Sequence, residues 1–130
     1  MCEKEKVLLS YLVLKKRKEI EDVFNEGNFF SVYPFKIIYL QKNTEESDSI
    51  NVAYFVPKRL YKLAVKRNLI RRRTKEAFRN SLNLCKHNFI GKGNLKIILI
   101  YNSADIFKYS EIQNSIIKIL AKLTDVLESH

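Results

Sequence analysis

The spacing of apolar residues along the chain predicts three helices. Apolar residues share one face of a short helix over residues 15–26, which Gly27 can end. A longer amphipathic helix is predicted over residues 63–86. A third helix, over residues 109–127, keeps its aliphatic residues at i, i+4, i+7 spacing. The last two helices are long enough to cover a small sheet.

Three runs rich in β-branched and aromatic residues predict strands at 35–40, 50–56 and 95–101. The polar, acidic stretch 43–49 predicts a loop, so we expect the first two strands to pair as an antiparallel hairpin. The helix between the second and third strands would make those two strands parallel if they are neighbours. The order α-β-β-α-β-α predicts an α+β fold, a two-layer sandwich of one small sheet with helices packed on it.

The long helix divides into a core face and a basic face when its residues are projected at intervals of about 100°. The predicted core face comprises Leu63, Ile70, Thr74, Ala77, Phe78, Ser81, Leu84 and Cys85. The basic face comprises Asn68, Arg71, Arg72, Lys75 and Arg79. At a rise of about 1.5 Å per residue, the basic face is roughly 15 to 20 Å long, which suits contact with several phosphates at once.

Most of the net charge lies in residues 58–79. That window holds ten of the 24 basic residues but a single acidic one, Glu76, in a chain whose formal net charge is +10. Such a concentration indicates a polyanionic partner, because a protein that is merely soluble spreads its charge. The alternative is a solvated surface helix. Such a helix usually mixes signs at i, i+4, whereas Arg67, Arg71 and Lys75 place like charges there.

Length and composition predict one globular domain over residues 1–130, with residues 1–13 as an apolar N-terminal extension. The apolar run at 7–14 is too short to span a bilayer, and no small-residue cleavage site follows it. We therefore expect a cytoplasmic protein without a membrane partner.

Candidate metal ligands and nucleophiles are scarce. Cys2 and Cys85 do not stand at metal-ligand spacing, and both are expected to be inert thiols. His87 and His130 have no evident partner, and no carboxylate cluster suits metal-dependent nuclease chemistry. The sequence therefore predicts no metal site and no catalytic residue in this chain.

Residues 64–79 read AVKRNLIRRRTKEAFR, which resembles the signature helix of the bacterial ribonuclease P protein subunit. The family pattern there is roughly A-V-x-R-N-R-x-K-R-x-x-R-E-A-F/Y-R, and Leu69 stands where the family has the second arginine of R-N-R. Residues 14–27 and 55–59 are similar to the family's first helix and to its second strand with the following basic turn. The resemblance covers about residues 14–127.

The resemblance implies a ribosomal protein S5 domain 2-like fold with a left-handed βαβ crossover, although general rules favour a right-handed one. It also implies a function as the protein subunit of ribonuclease P. Such a subunit binds a catalytic RNA and the 5′ leader of precursor tRNA, and promotes endonucleolytic 5′ maturation of tRNA. The catalytic groups and most of the Mg²⁺ would belong to the RNA subunit. No obligate protein partner is expected.

The same resemblance implies two sets of site residues. The RNA-docking set comprises Lys58, Arg59, Arg67, Asn68, Arg71, Arg72, Lys75 and Arg79. The cleft for the precursor-tRNA leader comprises Phe24, Lys36, Ile38 and Phe55. Exposed aromatic rings beside a lysine suit stacking on a single strand without reading its sequence. Phe24 and Ile38 are equally compatible with a place in the core.

Other functions stay open at this point. A ribosomal or other structural RNA-binding protein would share the charge and the fold class but would have no catalytic RNA partner. A helix-turn-helix DNA reader is disfavoured because strands, not a second helix, flank the basic helix. A stand-alone protein nuclease is disfavoured because no catalytic cluster is evident.

Overall fold

The computed structural model describes residues 10–42 and 48–128, so Cys2, His130 and parts of the predicted segments 1–13 and 43–49 lie outside the described residues. In chain order, the described part forms β1 (Ser10–Val13), α1 (Arg17–Glu26), β2 (Asn28–Val32), β3 (Phe35–Lys42), β4 (Ser49–Phe55), α2 (Ala64–Cys85), β5 (Asn94–Tyr101) and α3 (Tyr109–Glu128). A 3₁₀ turn at Lys86–Phe89 joins α2 to the chain leading into β5.

The predicted α+β architecture is confirmed, with one five-stranded sheet in the order β1-β4-β5-β3-β2. The parallel pairing of β4 with β5 is also confirmed. The predicted hairpin of β3 with β4 is wrong, because β5 lies between them and pairs antiparallel with β3 along its whole length. β5 is apolar toward both faces of the sheet, and such a strand is most stable at the centre. The handedness of the crossover through α2 stays a prediction from the resemblance.

Two edge strands were not predicted. β1 pairs parallel with β4, with Tyr11 opposite Ile50, so the end of the predicted N-terminal extension belongs to the sheet. β2 pairs antiparallel with β3, with Phe29 opposite Ile38. Together they extend the sheet beyond the three predicted strands.

The main core lies between one face of the sheet, here called the back face, and the pair α2 and α3. Its fully buried side chains include Ile70, Phe78, Ile97, Leu99, Ile112, Ile116 and Ile119. Two predictions for the core face of α2 are wrong: Leu63 is 62% exposed and Leu84 is 82% exposed. Leu63 precedes the first residue of the helix, and Leu84 lines an open groove between α2 and α3. Leu82 is buried near the same end of α2 instead.

A smaller apolar cluster lies on the opposite face of the sheet, the front face, beneath α1. Leu14, Val23, Ala53 and Ile98 form it. Gly27 ends α1, as predicted, and its N–H donates to the carbonyl of Val23 at 2.8 Å. A Cβ at Gly27 would lie 2.5 Å from that carbonyl oxygen and 2.8 Å from the carbonyl oxygen of Tyr39 on β3, so the close approach of helix and strand requires glycine. α1 leaves the rest of the front face open.

The predicted turn at 91–93 is confirmed, and a carboxylate holds it. Gly91 and Gly93 have φ of 83° and 77°, a conformation that glycine adopts without strain. Their N–H groups donate to the two carboxylate oxygens of Asp48, at 2.8 Å and 3.1 Å. Asp48 therefore fixes the turn beside the start of β4.

Candidate nucleic-acid interface

The basic residues of α2 form a row along the side of the helix that faces away from the core. Because Ile70, Ala77 and Phe78 are buried against the sheet and α3, the opposite side of α2 faces solvent. We call Asn68, Arg71, Arg72, Lys75 and Arg79 the cationic face. Three of its members, Arg72, Lys75 and Arg79, line one hollow of about 240 Å³ together with Tyr11 and Glu76, here called the notch.

Little of this charge is neutralised within the described residues. Glu76 accepts a hydrogen bond from Arg79 at 2.9 Å, and both side chains are about half exposed. No ion pair involves Arg72 or Lys75 in the described ranges. An exposed pair such as Arg79–Glu76 is weak and readily exchanged for another anion. The cationic face is therefore available to phosphates.

Two members of the predicted docking set also make contacts inside the protein. Nη1 of Arg67 donates to the carbonyls of Tyr61 and Lys62, at 2.8 Å and 2.9 Å, and so ties the loop before α2 to its first turn. Nη1 of Arg71 donates to Oδ1 of Asn68 at 3.1 Å. Asn68 thus orients Arg71. Arg67 holds the loop before α2 in place, whether or not it also contacts RNA.

Arg73 points away from the cationic face, although it lies in the middle of the basic run. Its Nη1 donates to the carbonyl of Phe107 at 2.7 Å in a partly buried setting, which ties α2 to the loop before α3. It was absent from the predicted docking set. The consecutive residues Arg72 and Arg73 therefore have different environments: one faces solvent, and the other holds a loop.

This contrast predicts different effects on stability. Replacing Arg73 with alanine leaves the Phe107 carbonyl without its charged donor, and we expect the free energy of unfolding to fall by about 1–2 kcal/mol. Replacing Arg72 with alanine should change it by no more than about 0.5 kcal/mol. Urea denaturation of the unchanged protein and of both variants measures these changes in the free energy of unfolding. Equal values would show that the Arg73 contact contributes nothing.

The remaining members of the docking set lie near the start of α2. Lys58 and Arg59 are exposed in the turn between β4 and α2, a few residues beyond Phe55. Leu69, which replaces the family arginine, is half-buried and lines a shallow hollow with Arg72, Arg73 and Tyr109. The predicted docking residues thus divide into a compact row on α2 and an exposed pair before it.

The predicted leader-cleft residues lie together on the front face. The rings of Phe24 and Phe55 are 6.5 Å apart, and both are substantially exposed, at 49% and 38%. Across the sheet, Ile100 pairs with both Phe55 and Lys36, so it lies between them. Ile38 is half-buried and packs against the small cluster beneath α1. Phe24 is therefore not a core residue, whereas Ile38 is partly one.

Sequence reasoning missed two neighbours on this face. Ile100 lies in the predicted strand 95–101 and is half-buried beside Lys36. Phe29 lies opposite Ile38 on β2 and is 80% exposed. Because side chains alternate between the two faces of a strand, the sequence could have placed Ile100 on the same face as Ile98. Phe29 could not be placed, because β2 was not predicted as a strand.

A third residue that sequence reasoning missed, Tyr11, belongs to the notch. Its hydroxyl lies 2.5 Å from that of Tyr54, and its ring stacks on Phe78 with centroids 5.9 Å apart. Burial raises the pKa of both Tyr11 and Tyr54, so both hydroxyls stay protonated at physiological pH. Strand β1 thus brings an aromatic ring beside the cationic face.

Neither a metal cluster nor a membrane span is found in the part of the chain that the structure describes. No three His, Cys, Asp or Glu side chains converge there in a way that suits a metal ion. None of the described helices is both long and apolar enough to cross a bilayer. Cys85 is half-buried, and burial raises the pKa of its thiol. His87 is exposed.

Comparison with known proteins identifies relatives of this chain. Ribonuclease P protein components match it: that of Porphyromonas gingivalis strain ATCC 33277 is 35% identical over 68 residues, covering 52% of this chain and 50% of that protein. That of Borrelia turicatae is 34% identical over 80 residues, covering 59% of this chain and 64% of that protein. The chain thus spans about half the length of the first of these curated relatives.

Solved structures share the fold. The RNase P protein of Staphylococcus aureus superposes with a TM-score of 0.65 at 24% identity, covering 85% of this chain and 94% of that one. The RNase P protein of Thermotoga maritima has a TM-score of 0.65 at 19% identity, covering 84% of this chain and 94% of that one. The sequence profile of the family described as Ribonuclease P matches residues 10–124. The chain therefore belongs to the ribonuclease P protein family.

Proposed function

We propose that this chain is the protein subunit of ribonuclease P, which binds a catalytic RNA and the 5′ leader of precursor tRNA and so promotes 5′ maturation of tRNA. The observation that supports this most strongly is the presence of two separate surfaces suited to nucleic acid. The cationic face lies on α2, which packs on the back face of the sheet, and the cleft formed by Phe24, Lys36, Ile38 and Phe55, here called the aromatic cleft, lies on the front face. One molecule can then hold two RNA segments at once.

The cationic face suits the phosphate backbone of a folded RNA. Its guanidinium groups can form forked hydrogen bonds to phosphate oxygens, while Lys75 acts as a point charge. Arg67, Lys58 and Arg59 extend the surface toward the start of α2. If about five to eight phosphates are neutralised, a plot of log affinity against log salt should have a slope of roughly −4 to −7.

The cleft suits a single strand with no fixed sequence. Phe24 and Phe55 can stack on successive bases, and Lys36, across Ile100 on the same face of the sheet, can meet the backbone. Ile38 and Ile100 form an apolar floor. Since stacking accepts any base, such a cleft would bind leaders of varied sequence.

Cleavage itself is assigned to the RNA subunit, which would hold most of the Mg²⁺ and supply the activated water that a bound metal ion provides. The described residues offer no set of ligands that fits a metal held by the protein alone. The chain's own contribution is to position both RNAs and to offset phosphate charge. We place this assembly in the cytoplasm, with no membrane contact and no obligate protein partner.

Reconstitution tests this function directly. Purified protein mixed with the catalytic RNA of ribonuclease P should restore precursor-tRNA cleavage at low Mg²⁺, where that RNA alone is slow. The reason is that the basic protein offsets repulsion that Mg²⁺ otherwise screens. Binding without stimulation would instead favour a structural RNA-binding protein. Cleavage by the protein alone would contradict the assignment of catalysis to RNA.

A further inference from the structure

The edge strand β1 contributes an aromatic side chain to the notch beside the cationic face. Tyr11 lies among Arg72, Lys75 and Arg79, three basic residues that α2 presents on successive turns. The same tyrosine and Lys75 also line a larger open groove with Lys15, Lys16 and one acidic residue, Glu19, which pairs with Lys96 at 3.9 Å. Tyr11 therefore lies between the cationic face and the lysines that precede α1.

The tyrosine ring is held firmly in this position. On one side it stacks on Phe78, which is fully buried, with an angle of 24° between the rings. Its hydroxyl is hydrogen-bonded to that of Tyr54, itself packed edge-on against Phe78. A ring fixed by two core aromatics loses little conformational entropy when a ligand packs against it.

The composition of the notch indicates more than phosphate binding. A site for phosphate alone needs cations and N–H groups, whereas an aromatic wall adds affinity only for a flat or apolar group. The notch measures about 240 Å³, large enough for a nucleobase, and three basic residues line it beside the ring. Basic residues next to an aromatic ring suit the phosphates that flank a stacked base. The one acidic group in it, Glu76, is paired with Arg79.

We propose that the notch receives an unpaired nucleobase of the catalytic RNA, which stacks on Tyr11 while Arg72, Lys75 and Arg79 contact its flanking phosphates. This inference rests on the proposed function and adds to it a base contact supplied by the N-terminal strand. It gives part of the predicted apolar extension, residues 1–13, a role in binding.

The test compares two probes: the catalytic RNA of ribonuclease P, and inorganic polyphosphate, a polyanion without bases. Tyr11→Leu should weaken binding of the RNA about tenfold, as expected for one lost stacking contact, with no change for polyphosphate or in the salt slope. Tyr11→Phe should bind both probes as the unchanged protein does. Tyr33→Leu, the same change at an exposed tyrosine elsewhere, serves as the control and should have no effect.

A second measurement does not depend on Tyr11→Leu folding well. The chain has no tryptophan, so Tyr11→Trp places the protein's single tryptophan in the notch. Its emission should be quenched by the catalytic RNA but not by polyphosphate. Equal quenching by both probes, no quenching, or an equal loss of affinity for both with Tyr11→Leu would overturn the base contact. The proposed function fails separately, if the unchanged protein does not stimulate cleavage.

Discussion

Reversing two charges on the cationic face, Arg72→Glu with Lys75→Glu, should weaken binding of the catalytic RNA by at least about 100-fold. Neither side chain has an ion-pair partner within the described residues, so each is available to a phosphate. Two lost phosphate contacts should also reduce the magnitude of the log–log salt slope by about 2. Filter binding across a salt series measures both quantities.

The fold should tolerate this double change. Both side chains are exposed, so the free energy of unfolding should change by less than about 1 kcal/mol. Lys108→Glu with Lys118→Glu, two exposed lysines near and on α3, changes the net charge equally and is the matched control. A similar loss of affinity in the control would mean that net charge, not the cationic face, governs binding.

Replacing the two cleft aromatics, Phe24→Leu with Phe55→Leu, should weaken binding of precursor tRNA to the reconstituted holoenzyme by at least about 30-fold. Stacking of a base on an aromatic ring contributes about 1–3 kcal/mol, and leucine keeps the apolar contact with the sheet but cannot stack. Mature tRNA, which lacks the leader, should bind as tightly as before. Competition binding measures the ratio of the affinities for precursor and mature tRNA in each variant.

The contrast between the two tRNAs makes this result specific. An equal loss for precursor and mature tRNA would place the leader elsewhere. Leu84→Ala with Ile117→Ala, two exposed apolar residues in the groove between α2 and α3, should leave both affinities unchanged. Thermal unfolding of each variant shows whether its fold is intact.

The helices were predictable because their apolar periodicity is long and regular. The predicted range 63–86 compares with the observed Ala64–Cys85, and 109–127 with Tyr109–Glu128. Strand pairing was not predictable from chain order, since it depends on which strand is apolar toward both faces. Here β5 is that strand, and it separates the two strands expected to form a hairpin. Short edge strands such as β1 carry too few residues for their alternation to stand out.

In the candidate site, too, some features were predictable from the sequence and others were not. Periodicity placed the cationic face correctly on the outer side of α2, because burial of the core residues determines which residues face outward. It could not show that Arg72 faces solvent while Arg73 has a contact within the protein. That contact depends on the position of the loop before α3, whose Phe107 carbonyl accepts the hydrogen bond. Tyr11 was missed because its neighbours on α2 are more than 60 residues away in the sequence.

Helix α2 and the aromatic cleft lie on opposite sides of the sheet, and strand β4 contacts both. Phe78 of α2 contacts Tyr54 of β4, and the next residue along β4, Phe55, belongs to the cleft. If both surfaces bind RNA as proposed, the packing of α2 on the sheet fixes the distance between the two bound RNA segments.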